Sequence, residues 1–202
     1  MLKPNSRVKA LAAQLKKKYS EEKGGPLAEA LVSRWQALCA TQEAYPEALR
    51  RHLKNNIFPA MAVFDVLIQD GQSRQEAAAV TDELFSACME SAANMIRGLL
   101  KIPGLYRILP RIWKSAAFKL FSPEAGFEAT VYDTPKSRVR FDMTSCPYYQ
   151  TCRDLGCPEI AFTFCHTDDI CYGNMHRKLK WNRTKTIARG GDCCDFDLSV
   201  EK

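Results

Sequence analysis

The reactive side chains of this 202-residue chain are concentrated near its C-terminal end. Seven of its nine cysteines lie between Cys146 and Cys194, beside a cluster of aspartates. A thiol next to a carboxylate can act as a nucleophile beside a proton donor or acceptor. If residues 158–174 are helical, Cys165, Asp168 and Asp169 share one face. The spacing therefore suggests that Cys165 and Asp168 form a catalytic pair. The alternative is a buried cysteine followed by a capping or ion-paired aspartate.

Two more charged residues, Arg183 and Asp195, are expected to lie on opposite strands of the last hairpin. Both are counted outward from the turn at Gly190-Gly191. They would form a cross-strand ion pair. Alternatively, Arg183 binds a carboxylate ligand, because its planar guanidinium suits bidentate recognition.

The thiols also raise the question of a metal. Cys146, Cys152 and Cys157 are spaced six and five residues apart, unlike the C-x2-C pairs of zinc ribbons. Glu159, Cys165 or Cys194 could complete a set of four ligands, but no spacing requires it. We therefore expect no cofactor, with zinc as the open alternative and any metal ligands unknown.

The elements that position these residues begin with a run of helices. Apolar residues recur at helical spacing up to about residue 120. A glycine-rich segment, Gly24-Gly25-Pro26, is expected to end the first helix. Ser73 and Glu76 form a capping box that predicts the start of a long helix. The predicted helices are Arg7–Tyr19, Leu27–Cys39, Phe58–Ile68, a helix from Ser73 to about Leu100, and Leu105–Leu120.

At Phe127 the pattern changes to strand-like alternation. One hairpin is predicted around residues 133–136, and a second from Leu179–Ile187 and Cys193–Val200. In the last strand Cys194, Phe196, Leu198 and Val200 are predicted to face inward. Helices at Tyr148–Leu155 and about Pro158–Asn174 are inserted between the hairpins, although Ile160–Phe164 could also be a buried strand. The predicted fold is α+β, a helical layer followed by a small antiparallel sheet. We expect one domain over residues 1–202, with a helical portion (1–120) and a sheet portion (121–202).

Composition limits the classes of partner. The chain is 46% hydrophobic and 26% charged, as in a globular protein, and carries a net charge of +6. No apolar run is long enough to span a bilayer. An odd number of cysteines favours reduced thiols and a cytoplasmic location. We expect a small-molecule substrate and neither nucleic acid nor a membrane as partner, and exposed apolar helix faces suit a homodimer. The cations between Arg97 and Lys119 are interpreted as the solvated face of a helix pair.

The C-terminal motifs carry a resemblance to a known family. They are Phe164-Cys165-His-Thr-Asp168, Arg183-Thr-Lys-Thr186, and Gly190 followed by Cys194-Asp195-Phe196. Cys146-Pro-Tyr148 and Gly156-Cys-Pro-Glu159 precede them. This set resembles the L-2-amino-thiazoline-4-carboxylic acid hydrolase family. The resemblance covers most of the chain, but its specific motifs lie between Cys146 and Phe196.

The resemblance implies an activity and a set of roles. The implied reaction opens a cyclic isothiourea by adding water to the carbon between nitrogen and sulfur, which gives N-carbamoyl-L-cysteine. Cys165, Asp168 and Asp195 are the implied catalytic residues. Arg183, Glu159, Cys194 and Thr186 are the implied substrate-binding residues.

Two other interpretations stay open. The cysteine-rich tail is also similar to small-molecule-binding domains of the vinyl-4-reductase type. This similarity would make the protein a sensor or binding module, with a zinc ion held by residues among Cys146, Glu159, Cys165 and Cys194. The chain could also be a family member without catalysis.

Overall fold

A computed structural model describes residues 2–201 of the chain. The first part is a stack of helices: α1 (Ser6–Lys18), α2 (Glu21–Ala40), α3 (Glu47–His52), α4 (Phe58–Gln69), α5 (Arg74–Leu99) and α6 (Leu105–Leu120). The second part comprises β1 (Glu128–Val131), β2 (Arg138–Ser145), α7 (Pro147–Asp154), α8 (Ala161–Tyr172), β3 (Leu179–Asn182) and β4 (Cys194–Val200). The predicted α+β class, with the helices first, is confirmed.

The glycine-rich segment does not end a helix, contrary to the sequence prediction. Gly24, Gly25 and Pro26 lie within α2, which begins at Glu21 after Ser20. Gly24 is needed where α2 crosses α1, because a Cβ atom there would lie 2.9 Å from the Cα of Lys16. The glycine therefore permits close packing of two helices rather than a turn.

A π-helical segment, Leu53–Ile57, joins α3 to α4 without a break. It brings Asn56 toward the C-terminal part of the chain, where the Asn56 side chain donates a hydrogen bond to the Tyr148 hydroxyl over 3.0 Å. The α4 helix that follows is buried over most of its length. Wide π turns of this kind occur often at functional sites.

The capping box at the start of α5 forms as predicted. The Glu76 backbone N–H donates to the Ser73 hydroxyl, and the Glu76 carboxylate accepts from the Ser73 backbone N–H. This cap fixes the start of a 26-residue helix. The α5 helix packs against α4 on one side and against α8 on the other, and it therefore connects the helical layer to the C-terminal part.

The four strands form one antiparallel sheet in the order β1-β2-β4-β3. Phe141 of β2 lies opposite Phe196 of β4, and their rings stack at 4.8 Å. The predicted inward face of β4 is confirmed for Cys194, Phe196 and Leu198, which are buried, whereas Val200 at the end of the strand is half-buried. The first strand of the last hairpin is shorter than predicted, because β3 ends at Asn182.

Helix α6 covers the inner face of the sheet with one side only. Its Trp113 ring packs against Phe141 at 5.5 Å and against Trp181 at 5.7 Å. Pro110 lies inside α6 without breaking it. A single buried cluster includes α4, α5, the sheet and α8.

Candidate active site

An apolar cavity of about 220 Å3 lies where the sheet, α7 and α8 meet the helical layer. Its volume is below the roughly 300–1,000 Å3 that is usual for pockets holding drug-sized ligands, so it suits a small molecule. Its walls are mostly aromatic and aliphatic, with three thiols and one carboxyl group. The thiols belong to Cys146, Cys165 and Cys194, and the carboxyl group belongs to Asp168.

Two of the thiols form a pair. Cys165 lies on α8 and Cys194 begins β4, and the Cys165 side chain is hydrogen-bonded to that of Cys194. The Ile187 backbone N–H also donates to the Cys194 sulfur over 3.3 Å. The bond from Cys165 lowers the pKa of Cys194 against the opposing effect of burial, and the Ile187 N–H and the Arg183 charge lower it further. The same bond, together with burial, raises the pKa of Cys165. Cys194 is therefore the better thiolate of the two.

The carboxyl group of Asp168 lies beside this pair. Burial raises its pKa to about 7, although the Arg183 charge acts in the opposite direction. A carboxyl group with this pKa can both give and take a proton near neutral pH. About 29% of the Asp168 side chain is accessible, and Asp168 contributes to the cavity wall. It can therefore reach a bound molecule.

Arg183 lies behind Asp168, with only 2% of its side chain exposed. Its guanidinium bonds Asp168 at 3.3 Å, Asp169 at 2.7 Å and the Cys165 carbonyl at 2.6 Å. Burial would lower its pKa, but Asp168 and Asp169 together raise it. These three contacts with protein oxygens hold Arg183 in place and connect α8 to the end of β3.

Comparison with protein families gives a match over this part of the chain. A sequence profile of the L-2-amino-thiazoline-4-carboxylic acid hydrolase family matches residues 50–198. The chain belongs to this family. The match begins in α3 and includes every element that contributes to the cavity. Membership supports a hydrolase-like function.

No curated protein matches the chain. Among solved structures, the chain is similar to a trafficking protein particle complex subunit 3 from Naegleria fowleri covalently bound to palmitic acid. The two are 12% identical, with 71% of this chain and 93% of that chain covered and a TM-score of 0.35. A TM-score this low supports no conclusion about this hydrolase-family chain.

The site residues predicted from the family motifs do not all meet. Cys165, Asp168 and Cys194 lie in the cavity wall, with Arg183 behind Asp168. Asp195 faces away from the cavity, where its carboxylate accepts hydrogen bonds from the Thr184 hydroxyl and the backbone N–H groups of Thr184 and Lys185. These bonds lower its pKa despite its burial. The cross-strand ion pair between Arg183 and Asp195 is not formed. Strand β3 does not continue past Asn182, because the backbone N–H groups of Thr184 and Lys185 are bound by the Asp195 carboxylate.

Two of the substrate-binding residues implied by the family also lie outside the cavity wall. Glu159 forms an ion pair with Arg74 of α5 at 2.6 Å, on the surface. Thr186 is buried and its hydroxyl has no partner in residues 2–201. It lines a separate shallow cleft with Arg183 and Arg189.

The positions of the thiols can be compared with the zinc site considered as an alternative from the sequence. Within residues 2–201, no group of three or more His, Cys, Asp or Glu side chains is arranged to hold a metal ion. The zinc set considered from the sequence includes Glu159, whose carboxylate is bound to Arg74. The Cys152 thiol is instead hydrogen-bonded to Cys157, which raises the pKa of Cys152. All nine cysteines are free thiols.

Sequence reasoning missed a hydrogen-bond network that connects Tyr148 and Asn56 of the cavity wall to His52 behind it. The His52 Nε2 lies 3.0 Å from the Leu120 carbonyl, and its Nδ1 lies 3.0 Å from the Tyr148 hydroxyl. Because the carbonyl can only accept, Nε2 carries the proton and the Tyr148 hydroxyl donates to Nδ1. Asn56 then donates to the Tyr148 oxygen. Burial lowers the pKa of His52, which agrees with a neutral ring. Only Tyr148 gave a sequence signal, as part of the Cys146-Pro-Tyr148 motif.

A cation that contacts a residue of the cavity wall was also missed. The Arg7 guanidinium of α1 lies 3.0 Å from the sulfur of Met89, which lines the cavity, and 5.4 Å from the centre of the Phe85 ring. Among residues 2–201 it makes no ion pair with an acidic side chain. The family profile begins at residue 50, so the family motifs gave no reason to consider Arg7.

Proposed function

We propose that the protein hydrolyses a small cyclic amidine-like compound of the L-2-amino-thiazoline-4-carboxylate type, giving N-carbamoyl-L-cysteine or a close analogue. The observation that supports this most is the Cys165–Cys194 thiol pair, which lies beside Asp168 in one small apolar cavity. A protonated amidine is a cation with an electrophilic carbon, so it suits a site with a carboxylate and a thiolate.

The residues could divide the reaction into two steps. First, the Cys194 sulfur bonds to the carbon between the ring nitrogen and sulfur. The carbon–sulfur ring bond breaks, and the leaving thiolate takes a proton from Asp168. Second, water adds to the same carbon, with the Asp168 carboxylate accepting a proton. The Cys194 thiolate then leaves, the proton that the amidinium brought passes to solvent, and a urea is released. Apart from that proton, the sum is the addition of one water molecule.

In this mechanism Cys165 supports Cys194 rather than attacking the substrate. Its hydrogen bond stabilises the Cys194 thiolate. Arg183 keeps Asp168 in place and adds positive charge near Cys194. Asp195 fixes the loop after β3 and thereby the position of Arg183, which directly precedes the bonded Thr184.

The substrate carboxylate needs a cationic partner other than Arg183, whose side chain is buried and already bound to two carboxylates. We assign this role to Arg7, at the Met89 side of the cavity. Arg7→Met should raise the KM for the carboxylate-bearing substrate by at least about tenfold. It should leave the KM for 2-aminothiazoline, which lacks the carboxylate, unchanged. An equal change for both compounds would exclude the assignment.

The activity itself is tested with purified protein and L-2-amino-thiazoline-4-carboxylate, with the urea product measured by mass spectrometry. Cys194→Ala should lose at least about 10^3-fold in kcat/KM. Cys193→Ala is the matched control, because Cys193 is the neighbouring buried thiol on the opposite face of the strand. It should retain wild-type activity. The intact mass of the enzyme during turnover should show an adduct on Cys194.

Other outcomes would favour the alternative functions. Saturable binding of the compound without turnover would favour a binding module or an inactive family member. Stoichiometric zinc in the purified protein, with activity lost on chelation, would favour a metal site. We also propose a reducing cytoplasmic location, which the free state of the nine thiols supports.

A further inference from the structure

The outer side of α6 exposes large apolar residues. Of the ten large hydrophobic side chains that are exposed in residues 2–201, six lie between Met95 and Leu120. Ile108 and Ile112 are each 50% exposed and lie one turn apart on α6. The opposite side of the helix, with Trp113 and Ala117, is already packed against the sheet. The exposed residues are therefore not part of the core of this chain.

Basic residues surround these apolar side chains. The sequence has no Asp or Glu between Glu90 and Glu124, and it has six Lys or Arg residues in that interval. Ile108, Arg111, Ile112, Ser115, Ala116 and Lys119 line a shallow groove on α6, here called the α6 face. Within residues 2–201, Arg111 and Lys119 have no acidic partner.

The combination of exposed isoleucines and unpaired cations on the α6 face fits some binding partners better than others. In a symmetric dimer the α6 face would meet its own copy, so Arg111 and Lys119 would face like charges. Nucleic acid would pair with the cations but leave Ile108 and Ile112 in water. An anionic bilayer surface accommodates both groups, because the isoleucines enter the boundary between headgroups and acyl chains while the cations contact the headgroups.

We propose that α6 lies on the surface of an anionic lipid bilayer through the α6 face, with Ile102 and Leu120 near its ends. None of the helices in residues 2–201 is long and apolar enough to cross a membrane, so the contact is superficial. The sequence-based expectation of no membrane partner rested on the lack of a spanning segment. It did not address binding in the plane of the interface.

The test is flotation of the full chain with vesicles. Vesicles of phosphatidylcholine with phosphatidylserine should bind at least about tenfold more protein than vesicles of phosphatidylcholine alone, and high salt should reduce the binding. Replacing Ile108 and Ile112 with serine should abolish binding. Arg111→Gln combined with Lys119→Gln should remove the preference for phosphatidylserine.

Two matched controls test the location of the surface. Lys16→Gln with Lys17→Gln removes two exposed charges from α1, and Val131→Ser removes an apolar side chain that is 45% exposed on β1. Both should bind like the wild type, and all variants should keep its melting temperature. No binding to either vesicle, equal binding to both, or equal loss in the controls would overturn the proposal. So would a concentration-dependent dimer that the serine variant abolishes.

Discussion

The pKa of Asp168 has a consequence for folding that can be measured without knowing the substrate. Burial raises this pKa to about 7 in the folded protein, whereas an aspartate in an unfolded chain titrates near 3.9. Between these values the folded state holds a proton that the unfolded state has lost. The free energy of unfolding therefore falls as pH rises through this window and becomes level above about pH 7. Asp168→Asn removes this dependence.

The size of the effect follows from the width of the window. From pH 5 to pH 7 the folded state holds one more proton than the unfolded state. Each pH unit then costs about 1.4 kcal/mol of unfolding free energy, so the two units together cost at most about 2.7 kcal/mol. Because 29% of the Asp168 side chain is accessible, water in the cavity screens part of this cost. We expect a difference between wild type and Asp168→Asn of about 2 kcal/mol.

The measurement is urea unfolding at pH 5 and pH 8 in the presence of a reducing agent. The quantity compared is the loss of unfolding free energy between the two pH values, because a pH-independent effect of losing the Arg183 contact cancels in it. Asp169→Asn is the control, since Asp169 also contacts Arg183 but is 42% exposed. Because the Asp169 charge contributes to the raised pKa of Asp168, this variant should keep the direction of the wild-type dependence with a smaller amplitude, whereas Asp168→Asn should lose the dependence. If Asp168→Asn also loses stability like the wild type between pH 5 and pH 8, Asp168 does not titrate near 7 and cannot exchange protons as proposed.

Three further predictions concern packing, hydrogen bonding and reactivity. In urea unfolding, Gly24→Ala should lower the unfolding free energy by about 1–3 kcal/mol, because its Cβ would meet Lys16. Gly25 lies in the same helix with open space around it, so Gly25→Ala should raise the unfolding free energy by up to about 1 kcal/mol. A loss of stability in both variants would contradict the packing argument. Tyr148→Phe should lower the free energy of unfolding by about 1–2 kcal/mol, and with it the melting temperature, because Asn56 loses its acceptor. Tyr149→Phe should leave the melting temperature unchanged. Iodoacetamide at pH 7 should alkylate Cys194 before Cys165 and before Cys171, whose pKa is raised to about 11 by burial. If peptide mapping finds Cys165 modified first, the roles assigned to Cys165 and Cys194 are reversed.

The elements that the sequence predicted correctly are those with local chemical signals. The capping box at Ser73 and Glu76 uses only neighbouring residues, so its outcome does not depend on the rest of the fold. The alternation in β4 likewise follows from a strand with one buried face. The Gly24-Gly25-Pro26 prediction was wrong because the role of Gly24 is set by another helix, and no local pattern shows that Lys16 lies against it.

In the candidate site, too, the residues with local sequence signals could be predicted and the contacts between distant elements could not. Cys165 and Asp168 are one turn apart on α8, and Cys194 belongs to the closing motif, so these three could be selected from the sequence. The partners of Arg183 could not be, because they depend on how α8 meets the end of β3. Asn56 and His52 come from a distant part of the chain, and their contacts with Tyr148 arise only when the helical layer packs against α7.

The π-helical segment between α3 and α4 also affects how the two helices are oriented about their common axis. An α-helix turns by about 100° per residue, so one extra residue in a wide turn rotates everything beyond it by that angle. The turn thus lets His52 face the C-terminal part while Phe58 and its successors face the helical core. Deleting one residue between them would leave both helices intact and direct one of the two faces into solvent. In this region a change in chain length would therefore be more damaging than a change of residue type.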